Sequence, residues 1–265
     1  MTTTPFVIVS HLRSGTHMLR TALESHPAVR CQAEPFNSDN PNLPYPLETP
    51  TREILDTWVY TPQPPEILVN GFVLHSYHPL ALRAFGGIRE NPRWADVWDI
   101  LEGMTDLRVI FLYRQNLLRR HLSHVLARRR WYWHAWNAEK VDEVTHLGGR
   151  RPPEDQIGTK TPEVEAVVLD RQNLIDDFEE ILELRERARC RFAHHATHEV
   201  RYETMCSQYV STCAGILSFL QLPERPIKPA MRKIERRPLS AAIANYAELK
   251  ASFEETAWAE FFDEP

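Results

Sequence analysis

A short apolar, β-branched run that breaks into a turn and then a helix occurs twice in this chain, and that repetition limits its possible folds more than any other feature. The first run is Phe6-Val7-Ile8-Val9, followed by Met18, Leu19, Ala22 and Leu23 at helical spacing until Pro27. The second is Leu107-Arg108-Val109-Ile110-Phe111-Leu112-Tyr113, which leads directly into a basic helix over about 115–130. Strands without polar alternation belong inside a parallel sheet covered on both faces. Further strands over 67–74 and 198–202, with helical segments between them, continue the rhythm. The expected class is α/β in three layers, a largely parallel central sheet flanked by helices and joined by right-handed crossovers. Ligands in such sheets bind at the carboxyl ends of strands, which directs attention to the loops after Val9 and Tyr113.

The remaining pattern fits one domain over residues 1–265, without internal repeats, and 43% hydrophobic residues suffice for its core. Residues 35–66 read as loop with one helical piece near 52–59, and 139–159 as an exposed loop. Thr161-Pro162-Glu163 supplies a capping hydroxyl, a first-turn proline and an acid. That signature predicts an amphipathic helix carrying Val164, Val167, Val168, Leu174, Ile175, Phe178, Ile181 and Leu182. A helix over 204–220 and a terminal helix from Ser240 complete the reading.

Composition narrows the function classes. With 31 Lys and Arg against 36 Asp and Glu, the net charge of −5 gives no global reason to expect nucleic acid or an anionic membrane surface as partner. The Arg128-Arg129-Arg130-Trp131-Tyr132-Trp133-His134-Ala135-Trp136 segment interleaves cations with stacking surfaces, yet the acidic balance favours a helix end bordering a cleft. No segment approaches the ~18 apolar residues of a membrane span, and the 4 cysteines lack CxxC spacing. A reducing cytoplasm without structural zinc is expected. His194, His195 and His198 lack partners at convincing spacing, so no metal is expected.

Ser10-His11-Leu12-Arg13-Ser14-Gly15-Thr16-His17 joins a buried strand to a helix N-terminus, where unpaired N–H groups and the helix dipole favour an anion. The alternative is an ordinary strand-to-helix turn. GxxxxGK[ST] is absent, which weakens a Mg-ATP kinase reading. Arg13-Ser14-Gly15-Thr16 instead resembles the RSGT loop that holds the 5′-phosphosulfate of 3′-phosphoadenosine 5′-phosphosulfate (PAPS) in sulfotransferases. Tyr113-Arg114-Gln115-Asn116 leading to Ser123 is similar to that family's 3′-phosphate site, where Arg114 and Ser123 take the gripping roles. On the helix, Asn116, Arg120 and Ser123 share one face and Leu118, Leu122 and Val125 the opposite one. Lys160-Thr161-Pro162-Glu163, Val200-Arg201-Tyr202-Glu203, Ser218-Phe219-Leu220 and Pro238-Leu239-Ser240 before Asn245-Tyr246 look like landmarks of bacterial NodH-like members.

The resemblance implies a P-loop-NTPase-like sulfotransferase fold and metal-independent, in-line transfer of a sulfuryl group from PAPS to a hydroxyl or amine, with 3′,5′-adenosine bisphosphate (PAP) as product. Arg13, Ser14, Gly15, Thr16, His17, Arg114 and Ser123 would hold the nucleotide, with Arg232 and Lys233 closing over it. Arg13 stands where relatives carry a lysine, and its role would be electrostatic because a guanidinium does not readily release a proton. Glu34, in Cys31-Gln32-Ala33-Glu34-Pro35-Phe36, is the expected base, with His75 and His78 as alternatives. The sequence departs from bacterial relatives at Val73, where they often have lysine. The acceptor would be a glycan, a glycolipid or a small molecule, bound by loops over 37–66 and 131–159 with Trp58, Trp131, Trp133 and Trp136 as stacking surfaces; a homodimer is compatible with this reading. The competing readings are a non-catalytic nucleotide-binding protein of the same fold and a P-loop kinase.

Overall fold

The first strand, β1 (Thr4–Ser10), is buried from Pro5 to Ser10 and lies at the centre of the sheet. The computed structural model describes residues 3–40, 42–78, 81–82, 88–89, 93–130, 163–231 and 234–263. Beside β1 run β2 (Val29–Gln32), β3 (Val69–His75), β6 (Arg108–Tyr113) and β7 (Ala196–Arg201), in the order β2-β3-β1-β6-β7, every pairing parallel. A separate antiparallel pair, β4 (Ala81–Leu82) and β5 (Ile88–Arg89), has no signal in the sequence reading.

Alternation along β1 produces the layers. Phe6 and Ile8 pack with Leu19, Ala22 and Leu23 of α1 (Thr16–Glu24) and with Ile216 and Leu217 of α7 (Tyr209–Phe219). Val7 and Val9 face the other way, toward Ile54 of α2 (Thr51–Ile54), Val97 and Leu101 of α3 (Val97–Glu102), and Ala188 of α5 (Arg171–Arg191). Side chains at successive strand positions point to opposite faces, so one apolar run supplies both cores. A third cluster joins Leu118, Leu122 and Val125 of α4 (Leu117–Arg130) to Leu174 and Phe178 of α5 and to the C-terminal segment. The expected three-layer α/β class is therefore the observed one.

The segment expected to be helical after Thr161-Pro162-Glu163 is not helical over 163–170. Thr161 and Pro162 lie outside the described residues, and α5 starts at Arg171, capped by Asp170, whose carboxylate accepts from Asn173 N–H at 2.9 Å. Between them the chain is extended: Val167 is fully buried, Val168 is 69% exposed and Leu169 is buried again. Backbone pairing explains the difference, since Val167 bridges to Ile243 and the Asn245 side chain exchanges hydrogen bonds with Leu169 at 3.0 and 2.8 Å. These tertiary contacts override the local helical spacing. Asp170→Ala is expected to lower stability by about 1 kcal/mol, read from urea unfolding, as loss of an N-cap does.

The helix expected over 204–220 is likewise two, α6 (Tyr202–Ser207) and α7, broken at Gln208. Toward the C-terminus, α8 (Leu239–Ala242) is a single turn, and α9 (Tyr246–Phe253) follows after the chain has paired with Val167.

Candidate active site at the strand ends

From β1 the strand order proceeds outward to β3 and β2 on one side and to β6 and β7 on the other. The carboxyl ends of β1 and β6 therefore flank the place where the order reverses, the general binding position of open α/β sheets. The Ser10 hydroxyl donates to the Leu112 carbonyl at 2.7 Å and ties the two ends together.

The loop that follows β1 passes twice through left-handed backbone. Arg13 has φ 63° and Gly15 φ 92°, both left-handed. At Gly15 a Cβ would lie 2.5 Å from Tyr202 Cδ2, so only glycine permits both this turn and this approach. The turn delivers Thr16 to the N-terminus of α1, with Ser14 and Thr16 buried.

The loop after β6 meets it directly. Arg13 Nε donates to Ser123 Oγ of α4 at 3.0 Å. Arg114 lies with its guanidinium 4.8 Å from the Tyr202 ring centroid and donates to the Arg13 carbonyl at 3.5 Å. The Glu203 carboxylate accepts from Gln115 N–H and Asn116 N–H at 2.9 and 3.2 Å, which fixes the turn into α4. Two motifs about a hundred residues apart thus place two guanidiniums, two serine hydroxyls and a helix N-terminus around one space. Burial and the neighbouring Arg114 lower the pKa of Arg13 to about 10, so it remains a cation at neutral pH.

A second cluster stands beside the first, at the end of β3. His75 pairs in register with Ser10, and its Nε2 is 3.0 Å from Glu34 Oε1. His17, one helical turn past Ser14, brings its Nε2 to 3.5 Å from the same oxygen, and Asn37 Nδ2 donates to Glu34 Oε2 at 2.8 Å. Burial by itself would raise the Glu34 pKa, but His75 and His17 outweigh it and hold the carboxyl well below its ordinary range. Glu34 and His75, expected as alternatives, are hydrogen-bonded partners. His78 is locked differently: its Nδ1 accepts from His75 N–H at 3.3 Å, and burial and His75 lower its pKa to about 3.

Other expected residues fall elsewhere. Arg120, grouped in the sequence with Asn116 and Ser123, is 1% exposed and ion-paired with Asp177 of α5, which also takes His121 Nδ1 at 2.9 Å. The periodicity of α4 marked Arg120 as polar, and nothing in it pointed to the acid on α5 that lets the residue be buried. Val73 is core, packed with Ile8, Leu19 and Val29. Trp58 is 37% exposed beside Tyr45 at 5.6 Å. Arg232 and Lys233, like Trp131, Trp133 and Trp136, lie outside the described residues.

The chain is similar along 98% of its length to nodulation protein H of Rhizobium meliloti, at 26% identity over 266 residues and 95% of that protein. Nodulation protein H of Rhizobium tropici is 25% identical over 263 residues, 93% of its length. Among solved structures, a sulfotransferase from Alicyclobacillus acidocaldarius superposes with a TM-score of 0.49 at 14% identity, covering 96% of this chain and 93% of that one. No family model matches. The similarity to nodulation protein H thus extends over nearly the whole chain, including the NodH-like landmarks read from its sequence.

Proposed function

We propose that this chain, a NodH-like member of the sulfotransferase family, transfers the sulfuryl group of PAPS to a hydroxyl or amine of a glycan, a glycolipid or a small-molecule acceptor. The observation that carries the reading is the meeting of the two loops, with Arg13 Nε on Ser123 Oγ at 3.0 Å. That contact gives one nucleotide a grip at both phosphate ends. Arg114 supplies a fork for the 3′-phosphate, and Ser14, Thr16 and the first N–H groups of α1 face the 5′-phosphosulfate. Arg13, cationic between them, offsets charge that develops on the transferring group.

Glu34 is the acceptor's base in this reading. Its carboxylate sits at the neighbouring strand end, held by His17 from the helix that carries the phosphosulfate loop, and it takes the acceptor proton as the new S–O bond forms and the bond to the 5′-phosphate breaks. No helix among the described residues is long and apolar enough to cross a membrane.

Calorimetry with PAP tests the nucleotide assignment. Wild type is expected to bind, and Arg114→Ala to bind about 10- to 100-fold more weakly, the usual cost of a lost hydrogen bond to a charged group. Equal affinity in the two proteins would refute the assignment of Arg114. A thermal shift with Mg-ATP and none with PAP would favour the kinase reading. Transfer of labelled sulfate from PAPS to any member of an acceptor panel separates an enzyme from a non-catalytic nucleotide binder.

A further inference from the structure

The two helices that follow the nucleotide loops are finished differently at their first turns. Helix α1 has Gly15 at its N-cap and makes no side-chain capping bond. Helix α4 is closed by the protein itself. Asn116 Oδ1 accepts from Arg119 N–H at 2.8 Å, while Glu203 Oε2 accepts from Gln115 N–H at 2.9 Å and Oε1 from Asn116 N–H at 3.2 Å. A helix N-terminus attracts an anion through N–H groups that are still free. The 5′-phosphosulfate can use the open end of α1, whereas a 3′-phosphate beside α4 has to be gripped by the side chains of Arg114 and Ser123.

An acid placed this close to an arginine would ordinarily fork onto its guanidinium and quench it. Glu203 instead spends both carboxylate oxygens on backbone N–H groups immediately after Arg114. The guanidinium is left with Nε buried and without a hydrogen-bond partner among the described residues, and with a long contact of 3.5 Å to the Arg13 carbonyl. Its face is held by the ring of Tyr202, the residue before Glu203. One short segment at the junction of β7 and α6, 88 residues downstream of Gln115, therefore fixes the backbone that carries Arg114 and leaves its donors open.

We infer that Glu203 is a positioning residue for recognition of the 3′-phosphate: it closes the first turn of α4, sets the direction from which Arg114 reaches, and keeps that guanidinium unquenched for the ligand. This role rests on the use of PAPS proposed above. It makes the preference for a 3′-phosphorylated nucleotide depend on a side chain that acts only through Arg114, because small displacements of a gripping group forfeit most of its contribution. A cap that merely stabilised the fold would, on removal, loosen the site for every nucleotide alike. A positioning cap would on removal weaken only those ligands that carry the 3′-phosphate.

Calorimetry with PAP and with 5′-AMP, which lacks the 3′-phosphate, separates the two. Wild type is expected to prefer PAP. Glu203→Ala is expected to bind PAP about tenfold or more weakly while its affinity for AMP stays within about twofold. Glu203→Gln, which keeps one oxygen for one of the two N–H groups, is expected to fall between them. Combined with Arg114→Ala, Glu203→Ala should cost no more PAP affinity than Arg114→Ala alone, as expected of residues acting through one contact. Should Glu203→Ala fail to fold, Glu203→Gln carries the test, with an expected loss of about threefold for PAP and none for AMP. An unchanged preference for PAP over AMP in the Glu203 variants, an equal loss of both ligands, or additive losses with Arg114→Ala would overturn the role of Glu203 alone. Wild type that binds PAP no better than AMP would overturn the PAPS reading, and this role with it.

Discussion

Glu34→Gln is expected to transfer sulfate from PAPS about 10²- to 10⁴-fold more slowly than wild type, the range over which a positioned general base contributes. The substitution keeps the shape and hydrogen-bonding reach of the side chain, so PAP affinity should be unchanged and the loss should fall on kcat. Two imidazoles and an amide hold the carboxylate in one orientation, which supports a base aimed at a fixed point. The same contacts carry a stability signature. Folding lowers the Glu34 pKa, so the carboxylate stabilises the fold above its unfolded value near 4.3 and that contribution disappears as pH falls through the folded value. Urea unfolding at pH 7 should therefore find wild type more stable than Glu34→Gln, and the gap should narrow below about pH 4. Equal turnover in the two proteins would remove Glu34 from the chemistry and shift the role to a histidine.

The loops after β1 and β6 were legible because each follows a strand buried on both faces, and such strands are uniformly apolar in sequence. Their convergence followed from topology, since β1 and β6 are neighbours in the sheet. The pairing of Glu34 with His75 was not legible. It joins residues 41 positions apart across β2 and β3, and no local period records which side chains two parallel strands bring together at their ends. The burial of Arg120 was hidden for a related reason: the acid that pairs with it, Asp177, lies on another helix. The misplaced start of α5 shows the converse. Thr161-Pro162-Glu163 is a sound capping signature, but the extended segment after it is held by Ile243 and Asn245, almost eighty residues away in sequence. What the sequence concealed was in each case a partner supplied by a distant element.

Gly71→Ala is expected to cost about 3 kcal/mol or more, the upper end of what overpacking a close-packed interior does, and to lower the melting temperature by roughly 6–12 °C in a chain of this size. Gly71 lies opposite Phe6 in the β1–β3 ladder, and a Cβ there would come within 2.3 Å of the Phe6 carbonyl oxygen and 2.6 Å of its ring. The first of these obstacles is main chain in the central strand, which cannot rotate away as a side-chain tip can. Relief requires β3 to move off β1, and the same ladder sets His75 against Ser10 four residues further on. Displacement of β3 would therefore carry His75 away from Glu34 as well as loosen the core. Thermal unfolding measures the first effect, and the sulfate-transfer rate of any folded variant at low temperature measures the second. A variant with wild-type melting and wild-type turnover would mean that the β1–β3 contact yields easily, and that the position of His75 does not depend on it.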